Sequence, residues 1–440
     1  MRRALATICV LAASLMAVAG HGAAAPTDVT VWQGSIAGSR GTAPDATVRT
    51  VVTVSAPVSR VRVRLSNQYG AAPLVIRSAW AGQAMAGGQA ALRPGTNRRL
   101  AFGGRTTVSI GPGSVRWSDP VTLSLPAGGL LAVSVHAPGQ PAGGKTFLTY
   151  AAVPPAMYVS NAGDHGAEES GAAYPTSNIV EDWYRPITAA GYYPGQAWWV
   201  DAVAGRSPAH GTVVAVGDSI TEGYGAYGPP GQRFTDVLAA RLQALPANRR
   251  MAVSNAAISG NTASVQTNPY QPPTDPYGCC GQPIVQRLAR DVTTLPGVRA
   301  VMLLSGTNDI AGGPFAQPSP PGQVTAAIQA MIARLKSQGM QVIGATLLPM
   351  GLEPSNPREQ ARQQVNAWIR GQARFDHVID FDRLMADPLV PWRIRPSWAS
   401  SSVVAPTGGV YHPNAAGHAV MGARIPLGWL APAPTPCPTC

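Results

Sequence analysis

The spacing of apolar residues changes near residue 205, and this change limits the possible folds more than any other feature of the chain. Upstream of it, apolar and polar residues alternate, as in RVRVRLSNQYG (residues 60–70), where valine and leucine alternate with arginine. Such alternation is typical of strands with one buried face. Helical spacing is nearly absent from residues 27–200, so we expect an antiparallel β-sandwich there. The segment VTLSLPAGGLLAVSV (residues 121–135) predicts a hairpin that turns at its two glycines.

Downstream of that point, apolar runs alternate with segments of helical spacing. The runs are TVVAVG, MAVSNAAIS, VRAVMLLSG, MQVIGATLLP and HVIDFD. Between them, three stripes recur every three or four residues and predict helices; they begin at Phe234, Val324 and Ala361. This rhythm predicts an α/β domain with a flavodoxin-like, doubly wound parallel sheet. We therefore divide the chain into a β-sandwich over residues 26–205, an α/β domain over 206–430 and a Pro/Cys-rich tail over 431–440.

The N-terminus has the composition of an export signal. Arg2 and Arg3 precede an apolar run that ends in small residues, which predicts a signal peptide over residues 1–25. The run is short and interrupted, so a membrane anchor is disfavoured, and no later segment is apolar enough to cross a bilayer. We expect a secreted protein, extracellular or periplasmic, without stable membrane insertion.

The cysteines fit an oxidising compartment. Four remain after the signal peptide: Cys279, Cys280, Cys437 and Cys440. One or two disulfides are expected, and sequence leaves the three complete pairings open. A zinc site is disfavoured because no histidine lies near either pair in sequence.

The positive charge does not indicate a nucleic-acid partner. The formal net charge is +12, and Lys145 and Lys336 are the two lysines of the chain, so nearly all of the positive charge is arginine. The arginines are scattered and form no basic stripe interleaved with aromatic residues. An anionic polysaccharide or a cell-surface contact stays open.

Chemistry-bearing residues follow the predicted strands of the α/β domain. Ser219 follows the first strand, Gly260 the second and Asn308 the third, while His412 lies in a C-terminal loop. In doubly wound folds, ligands bind outside the carboxyl ends of the strands. Acyl transfer needs a hydroxyl nucleophile, a base that accepts its proton, and donors aimed at the oxyanion. These four residues can supply that set.

Four blocks give this set a family resemblance. GDSIT, NAAISGNT, GTNDI and HPNAAGH occur in this order over about 210 residues, and they resemble the blocks of the SGNH (GDSL) hydrolase superfamily. The resemblance implies Ser219 as nucleophile and His412 as general base. It implies an oxyanion hole made of the Ser219 and Gly260 amides and the Asn308 side chain. The upstream half is similar to the β-domain of a bacterial xylan-esterase-like subgroup, on VRVRLSNQYGAAPL and SIGPGS.

One position departs from the family pattern. The family has an aspartate three residues before the histidine, and here that residue is Gly409. Asp382 is a candidate replacement as third triad member, and Asp387 is another. We favour a backbone carbonyl on His412 Nδ1, which can also fix the tautomer, because the Gly408-Gly409 pair lets the backbone approach the ring.

These features predict a secreted serine esterase that acts on short-chain esters, acetyl first, of a carbohydrate or small alcohol. No metal and no organic cofactor is implied. The alternative is a secreted carbohydrate- or surface-binding protein with a degenerate, weakly active hydrolase domain. An aromatic segment near the domain junction could stack on sugars, but we favour a packing role for it; it contains Trp183, Tyr184, Tyr192, Tyr193, Trp198 and Trp199.

Overall fold

The computed structural model describes eight segments of the chain: residues 27–86, 90–147, 156–175, 195–226, 231–264, 280–312, 318–400 and 410–432. The predicted signal peptide and residues 433–440 of the predicted C-terminal tail lie outside them. Of the four cysteines, the described residues include the buried Cys280 alone, so the disulfide pairing stays a prediction. No helix in these segments is long and apolar enough to cross a membrane.

The first half of the chain is built from antiparallel sheets. Its strands are β1 (Thr27–Gln33), β2 (Gly38–Thr42), β3 (Ala46–Thr53), β4 (Val58–Ser66), β5 (Leu74–Ile76), β6 (Ser78–Gln83), β7 (Arg98–Arg99), β8 (Val108–Ile110), β9 (Val115–Trp117), β10 (Val121–Leu125), β11 (Leu130–His136), β12 (Pro141–Phe147), β13 (Ala156–Ala162), β14 (Gly195–Trp198) and β15 (Val200–Ser207). One sheet has the order β1-β15-β4-β10, with β9 also paired to β4, and another has the order β13-β3-β11-β6-β7. Two smaller sheets are β14-β12-β2 and β5-β8.

The predicted hairpin over residues 121–135 is wrong. β10 pairs with β4 in one sheet, whereas β11 pairs with β3 and β6 in the other. Both strands bury their alternate apolar residues in the same core, for example Leu123 and Val133. Alternation shows which face of a strand is buried, but it does not show whether two successive strands share a sheet or face each other across the core.

The second half is the predicted α/β domain. Its strands are β16 (Thr212–Gly217), β17 (Ala252–Asn255), β18 (Val298–Leu304), β19 (Gln341–Ala345) and β20 (His377–Ile379). Its helices are α1 (Ser219–Glu222), α2 (Phe234–Gln243), α3 (Ile284–Leu288), α4 (Thr307–Ala311), α5 (Pro321–Lys336), α6 (Pro357–Gly371), α7 (Phe381–Met385) and α8 (Ala415–Arg424). A π-helical turn, Ala289–Thr293, continues α3, and single 3₁₀ turns span Ala247–Arg249, Pro396–Trp398 and Leu427–Trp429.

The sheet order of this domain places the site. The order is β17-β16-β18-β19-β20, and every pairing is parallel. In order of appearance this is 2-1-3-4-5, which confirms the flavodoxin-like prediction. The strand order reverses between β16 and β18, and Ser219 and Asn308 follow these two strands directly. A crevice at this edge is where such folds bind their ligands.

The two halves are packed together with buried polar contacts. Thr212 Oγ1, at the start of β16, donates to the Thr30 carbonyl of β1 at 2.8 Å. Thr30 Oγ1 donates in turn to the Pro296 carbonyl, just before β18, at 3.0 Å. The last sandwich strand ends at Ser207 and the first strand of the α/β sheet begins at Thr212, so the connection has only four residues.

Candidate active site

Ser219 is the first residue of α1, where the chain leaves β16. Asp218 caps this helix, because its Oδ1 accepts the Ile220 N–H at 3.0 Å. Gly223 closes the helix with a φ of 108°, a left-handed conformation that favours glycine. The turn is therefore held at both ends, and the Ser219 hydroxyl is fixed at the carboxyl edge of the sheet.

The structure brings His412 to Ser219. Ser219 Oγ and His412 Nε2 are 2.8 Å apart, although the residues are 193 positions apart in sequence. The His412 carbonyl accepts the Ser400 N–H at 2.8 Å, which anchors the backbone of the histidine. The rings of Tyr224 and Tyr411 lie against the imidazole, with centroids at 4.8 and 4.7 Å. This is the contact that a serine nucleophile needs with its base.

The environment keeps His412 neutral. Burial, with a further contribution from His418, lowers the pKa of His412 to about 3. Burial likewise lowers the pKa of His418 to about 4. A neutral imidazole can accept a proton, so His412 is in the form of a general base at neutral pH.

Asp382 does not orient His412. Its Oδ1 accepts from Arg362 Nη1 at 2.6 Å, and its Oδ2 accepts from Arg370 Nη2 at 2.7 Å. Two arginines of α6, one buried and one half-buried, therefore occupy both oxygens of Asp382, and the role of this carboxylate is structural. Asp387, the other candidate, accepts from Arg393 Nε at 2.9 Å.

In the described part of the chain, no atom accepts a hydrogen bond from His412 Nδ1, which is buried. The carbonyls of Gly408 and Gly409, the residues on which we based a carbonyl partner, lie outside the described residues. That partner remains a prediction.

Gly260, in the loop after β17, and Asn308, in the first turn of α4, lie at the same edge of the sheet. Gly260 has a φ of 74°, so a glycine is required there. Asn308 Nδ2 donates to the Asn261 carbonyl at 2.9 Å, which uses one of its two amide hydrogens. Within the described segments no acceptor contacts the Ser219 or Gly260 N–H. These donors can serve an oxyanion.

Two buried carboxylates hold the loop that carries Gly260. We call residues 259–264 the oxyanion loop. At its start, Glu222 Oε2 accepts from the Ser259 N–H at 2.7 Å and from Ser259 Oγ at 2.8 Å. Towards its end, Asp309 accepts from the Ala263 and Ser264 N–H groups at 2.8 and 3.0 Å. Each carboxylate thus fixes one end of the loop.

Asp218, which lies next to Ser219, is only partly ionised at neutral pH. Burial raises its pKa to about 7, and the nearby Asp309 contributes in the same direction. A fully ionised carboxylate beside Ser219 would oppose the growth of negative charge on a reacting oxyanion. A proton on Asp218 removes much of that repulsion while Oδ1 still caps the helix.

The comparisons agree with the geometry. Residues 215–420 match the model of the GDSL-like Lipase/Acylhydrolase family. This segment is a GDSL-like acylhydrolase domain. No curated protein matches the chain.

Three solved structures illustrate the range of similar folds. A GDSL-like lipase from Bacteroides thetaiotaomicron is 22% identical, covering 49% of this chain and 86% of its own, with a TM-score of 0.34. The acetylxylan esterase Axe2 from Geobacillus stearothermophilus is 19% identical, covering 49% and 92%, with a TM-score of 0.35. A carbohydrate esterase family 2 enzyme plus carbohydrate-binding domain, from Corynascus thermopiles (Myceliophthora fergusii), is 15% identical, covering 90% and 96%, with a TM-score of 0.35.

The acylhydrolase domain also uses residues that sequence reasoning missed. Glu222 lies one helical turn after Ser219, a spacing that could have pointed to it. Arg287 has no such signal, because its partner Asn261 is 26 positions away.

The aromatic segment yields Trp198 and Trp199, which are buried in the sandwich core, while its other four members lie outside the described residues. No group of three or more metal-ligating side chains occurs in the described ranges.

Proposed function

We propose that the protein is an exported serine esterase that cleaves short acyl esters, acetyl first. The strongest support is the 2.8 Å contact between Ser219 Oγ and the neutral, buried His412 Nε2. A neutral base within hydrogen-bond reach of a serine hydroxyl is the arrangement from which acyl transfer begins. The match of residues 215–420 to an acylhydrolase family supports the same reaction class.

In the proposed mechanism, His412 Nε2 takes the proton of Ser219 as Oγ bonds to the ester carbonyl carbon. The carbonyl oxygen becomes an oxyanion that accepts from the Ser219 and Gly260 N–H groups and from Asn308 Nδ2. The intermediate collapses, the bond to the alcohol oxygen breaks, and His412 returns the proton to that oxygen. Water then attacks the acyl-enzyme by the same route, which releases the acid and restores Ser219.

The proposed substrates are acetylated carbohydrates or small acetyl esters. The support is the small-residue composition of the loops around the nucleophile, such as SGNTAS of the oxyanion loop. A chain-length series tests this: turnover of p-nitrophenyl esters should fall from acetate to octanoate. Acetate release from acetylated xylan tests the carbohydrate. Faster turnover of octanoate than of acetate contradicts the proposal for the acyl group.

The nucleophile is tested by substitution. Ser219→Ala and His412→Ala should each lower kcat for p-nitrophenyl acetate by about 10³-fold or more. Ser254→Ala is the matched control, because Ser254 is a buried serine of the neighbouring strand β17. Near-normal turnover by Ser219→Ala would show that another group is the nucleophile.

A binding protein with a weakly active hydrolase domain is the second candidate. The observation that favours it is His412 Nδ1, which lacks an acceptor among the described residues. The two candidates differ in the wild-type rate. A kcat near 1 s⁻¹ or above, typical of enzymes, supports the esterase. A rate barely above that of Ser219→Ala, together with retention on acetylated or deacetylated polysaccharide, supports the binding protein.

A further inference from the structure

A series of buried polar contacts joins the β-sandwich to the acylhydrolase domain. It begins with an ion pair in the sandwich, in which Arg64 Nε and Asp201 Oδ1 are 2.7 Å apart and both side chains are fully buried. Arg64 Nη1 also donates to the Arg290 carbonyl at 2.9 Å. Gln33 Nε2, on β1, donates to the Asp291 carbonyl at 2.8 Å. Two sandwich side chains therefore bind two successive carbonyls of the π-helical turn after α3.

The side chain of Asp291 extends the series inwards. Its Oδ1 accepts from Arg290 Nε at 2.6 Å, and its Oδ2 accepts from Arg290 Nη2 at 3.0 Å and from Arg287 Nη1 at 2.7 Å. Burial alone would raise the pKa of Asp291, but the two guanidinium groups hold it well below its usual value. A carboxylate that stays ionised in the interior fixes both arginines in place.

Arg287 makes the connection to the active site. Its Nε donates to Asn261 Oδ1 at 3.0 Å, and its Nη1 also donates to the Ala256 carbonyl at 2.6 Å. Asn261 belongs to the oxyanion loop, and its own carbonyl accepts from Asn308 Nδ2. One buried guanidinium thus binds the end of β17 and the oxyanion loop, one residue beyond Gly260.

We propose that Arg287 is a positioning residue for the oxyanion hole, and that the β-sandwich fixes it through Asp291. Arg287 touches no reacting atom. It holds Asn261 so that the Gly260 N–H and the Asn308 amide stay aimed at one point. The β-sandwich is then a structural support of the catalytic centre as well as a neighbouring domain. The activity readout of this inference rests on the proposed esterase function.

The shape of the guanidinium is what the role requires. Arg287 donates to four acceptors: Asn261 Oδ1, Asp291 Oδ2 and the carbonyls of Ala256 and Gly217. An ammonium group carries the same charge but has three N–H donors and no planar fork, so lysine cannot serve all four acceptors. A misplacement of about 1 Å in a catalytic group can cost about 100-fold in rate. Loss of the fork should therefore lower kcat rather than raise KM.

Arg287→Met is the main test. Asp291 keeps both of its contacts with Arg290, so no buried carboxylate loses all its partners. We expect kcat for p-nitrophenyl acetate to fall by about 10- to 100-fold with KM within about twofold. The kcat of Arg287→Lys should fall nearly as far as that of Arg287→Met. Arg49→Met is the matched control: Arg49 is equally buried, but its Nε and Nη1 bind Ser134 and Ala90 inside the sandwich. It should lose stability and keep its kcat.

Hydrogen exchange supplies a readout that does not need activity. Amides of the oxyanion loop should exchange faster in Arg287→Met and Arg287→Lys than in the wild type, and should be unchanged in Arg49→Met. Wild-type kcat in Arg287→Lys would mean that the residue only balances charge, which overturns the proposal. Unchanged hydrogen exchange of the oxyanion loop in both Arg287 variants would also overturn the proposal. If Arg287→Met does not fold, Arg287→Lys decides, because it keeps a cation beside Asp291. A wild type without esterase activity would refute the proposed function, while exchange would still test the positioning role.

Discussion

The acid limb of the pH–rate profile follows directly from the surroundings of His412. Burial and, to a smaller extent, His418 lower the pKa of His412 to about 3, whereas an exposed histidine titrates near ~6.5. At pH 5 an ordinary histidine is only about 3% neutral, and one with a pKa of about 3 is about 99% neutral. We therefore expect kcat/KM at pH 5 to lie within about twofold of its value at pH 7, instead of about 25-fold below it.

The assay is kcat/KM for p-nitrophenyl acetate from pH 4 to 7, read at a wavelength where both forms of the product absorb equally. Circular dichroism at each pH shows that the protein stays folded. Tyr411→Ala removes one of the two rings on His412 and admits water, so its acid limb should move up towards pH 6.5. His418→Gln should move it little, because burial is the larger cause. A wild-type limb near pH 6.5 in folded protein would refute the reasoning.

Three further outcomes are expected. Asn308→Ala should lower kcat for p-nitrophenyl acetate by about 10²-fold with little change in KM, since it removes one oxyanion donor. Asp382→Asn should keep most of the activity but unfold at a lower urea concentration, because Arg362 and Arg370 lose their shared carboxylate partner. A loss of kcat of about 10⁴-fold would instead identify Asp382 as the third triad member. The urea midpoint of unfolding should fall as the pH drops below 6.5, the ordinary pKa of histidine. His412 and His418 have folded pKa values of about 3 and about 4, so below pH 6.5 they bind protons mainly in the unfolded state. Each of these histidines then lowers the free energy of unfolding by about 1.4 kcal/mol per pH unit. Asp218 has a folded pKa of about 7 and an ordinary pKa of 3.8, so between these pH values it binds a proton mainly in the folded state. This raises the free energy of unfolding as the pH falls and offsets the contribution of one histidine. His418→Gln should flatten the profile.

The sequence predicted what depends on periodicity and on strand ends. Period-two and helical spacing located the sandwich and the α/β domain, because each pattern reports one buried face. The parallel sheet then brought Ser219 and Asn308 to one edge, since both follow strands that run in the same direction. These predictions needed no knowledge of which side chains meet at long range.

The sequence could not predict partners that only the tertiary fold brings together. Asp382 has a suitable position after β20, but two arginines from α6 hold it, and nothing local to its sequence shows that they approach. Arg287 is likewise an ordinary helical arginine in sequence, and its contacts lie at Asn261 and Ala256. The hairpin prediction for β10 and β11 failed for the same reason, because the two strands pair with partners in different sheets.

The low pKa of His412 makes the oxyanion hole more important here than in a site whose histidine has an ordinary pKa. A pKa of about 3 means that the imidazolium is destabilised by about 5 kcal/mol relative to water. In the proposed mechanism this imidazolium forms in the same step as the oxyanion. The attraction between the two charges can offset part of its cost, and it does so only if the oxyanion is held close and well bonded. That places the demand on Gly260 and Asn308, and so on the oxyanion loop. In the proposed positioning role, the buried contacts from Arg64 and Gln33 through Asp291 and Arg287 assist the reaction indirectly, because they resist the small displacement that would separate the two charges.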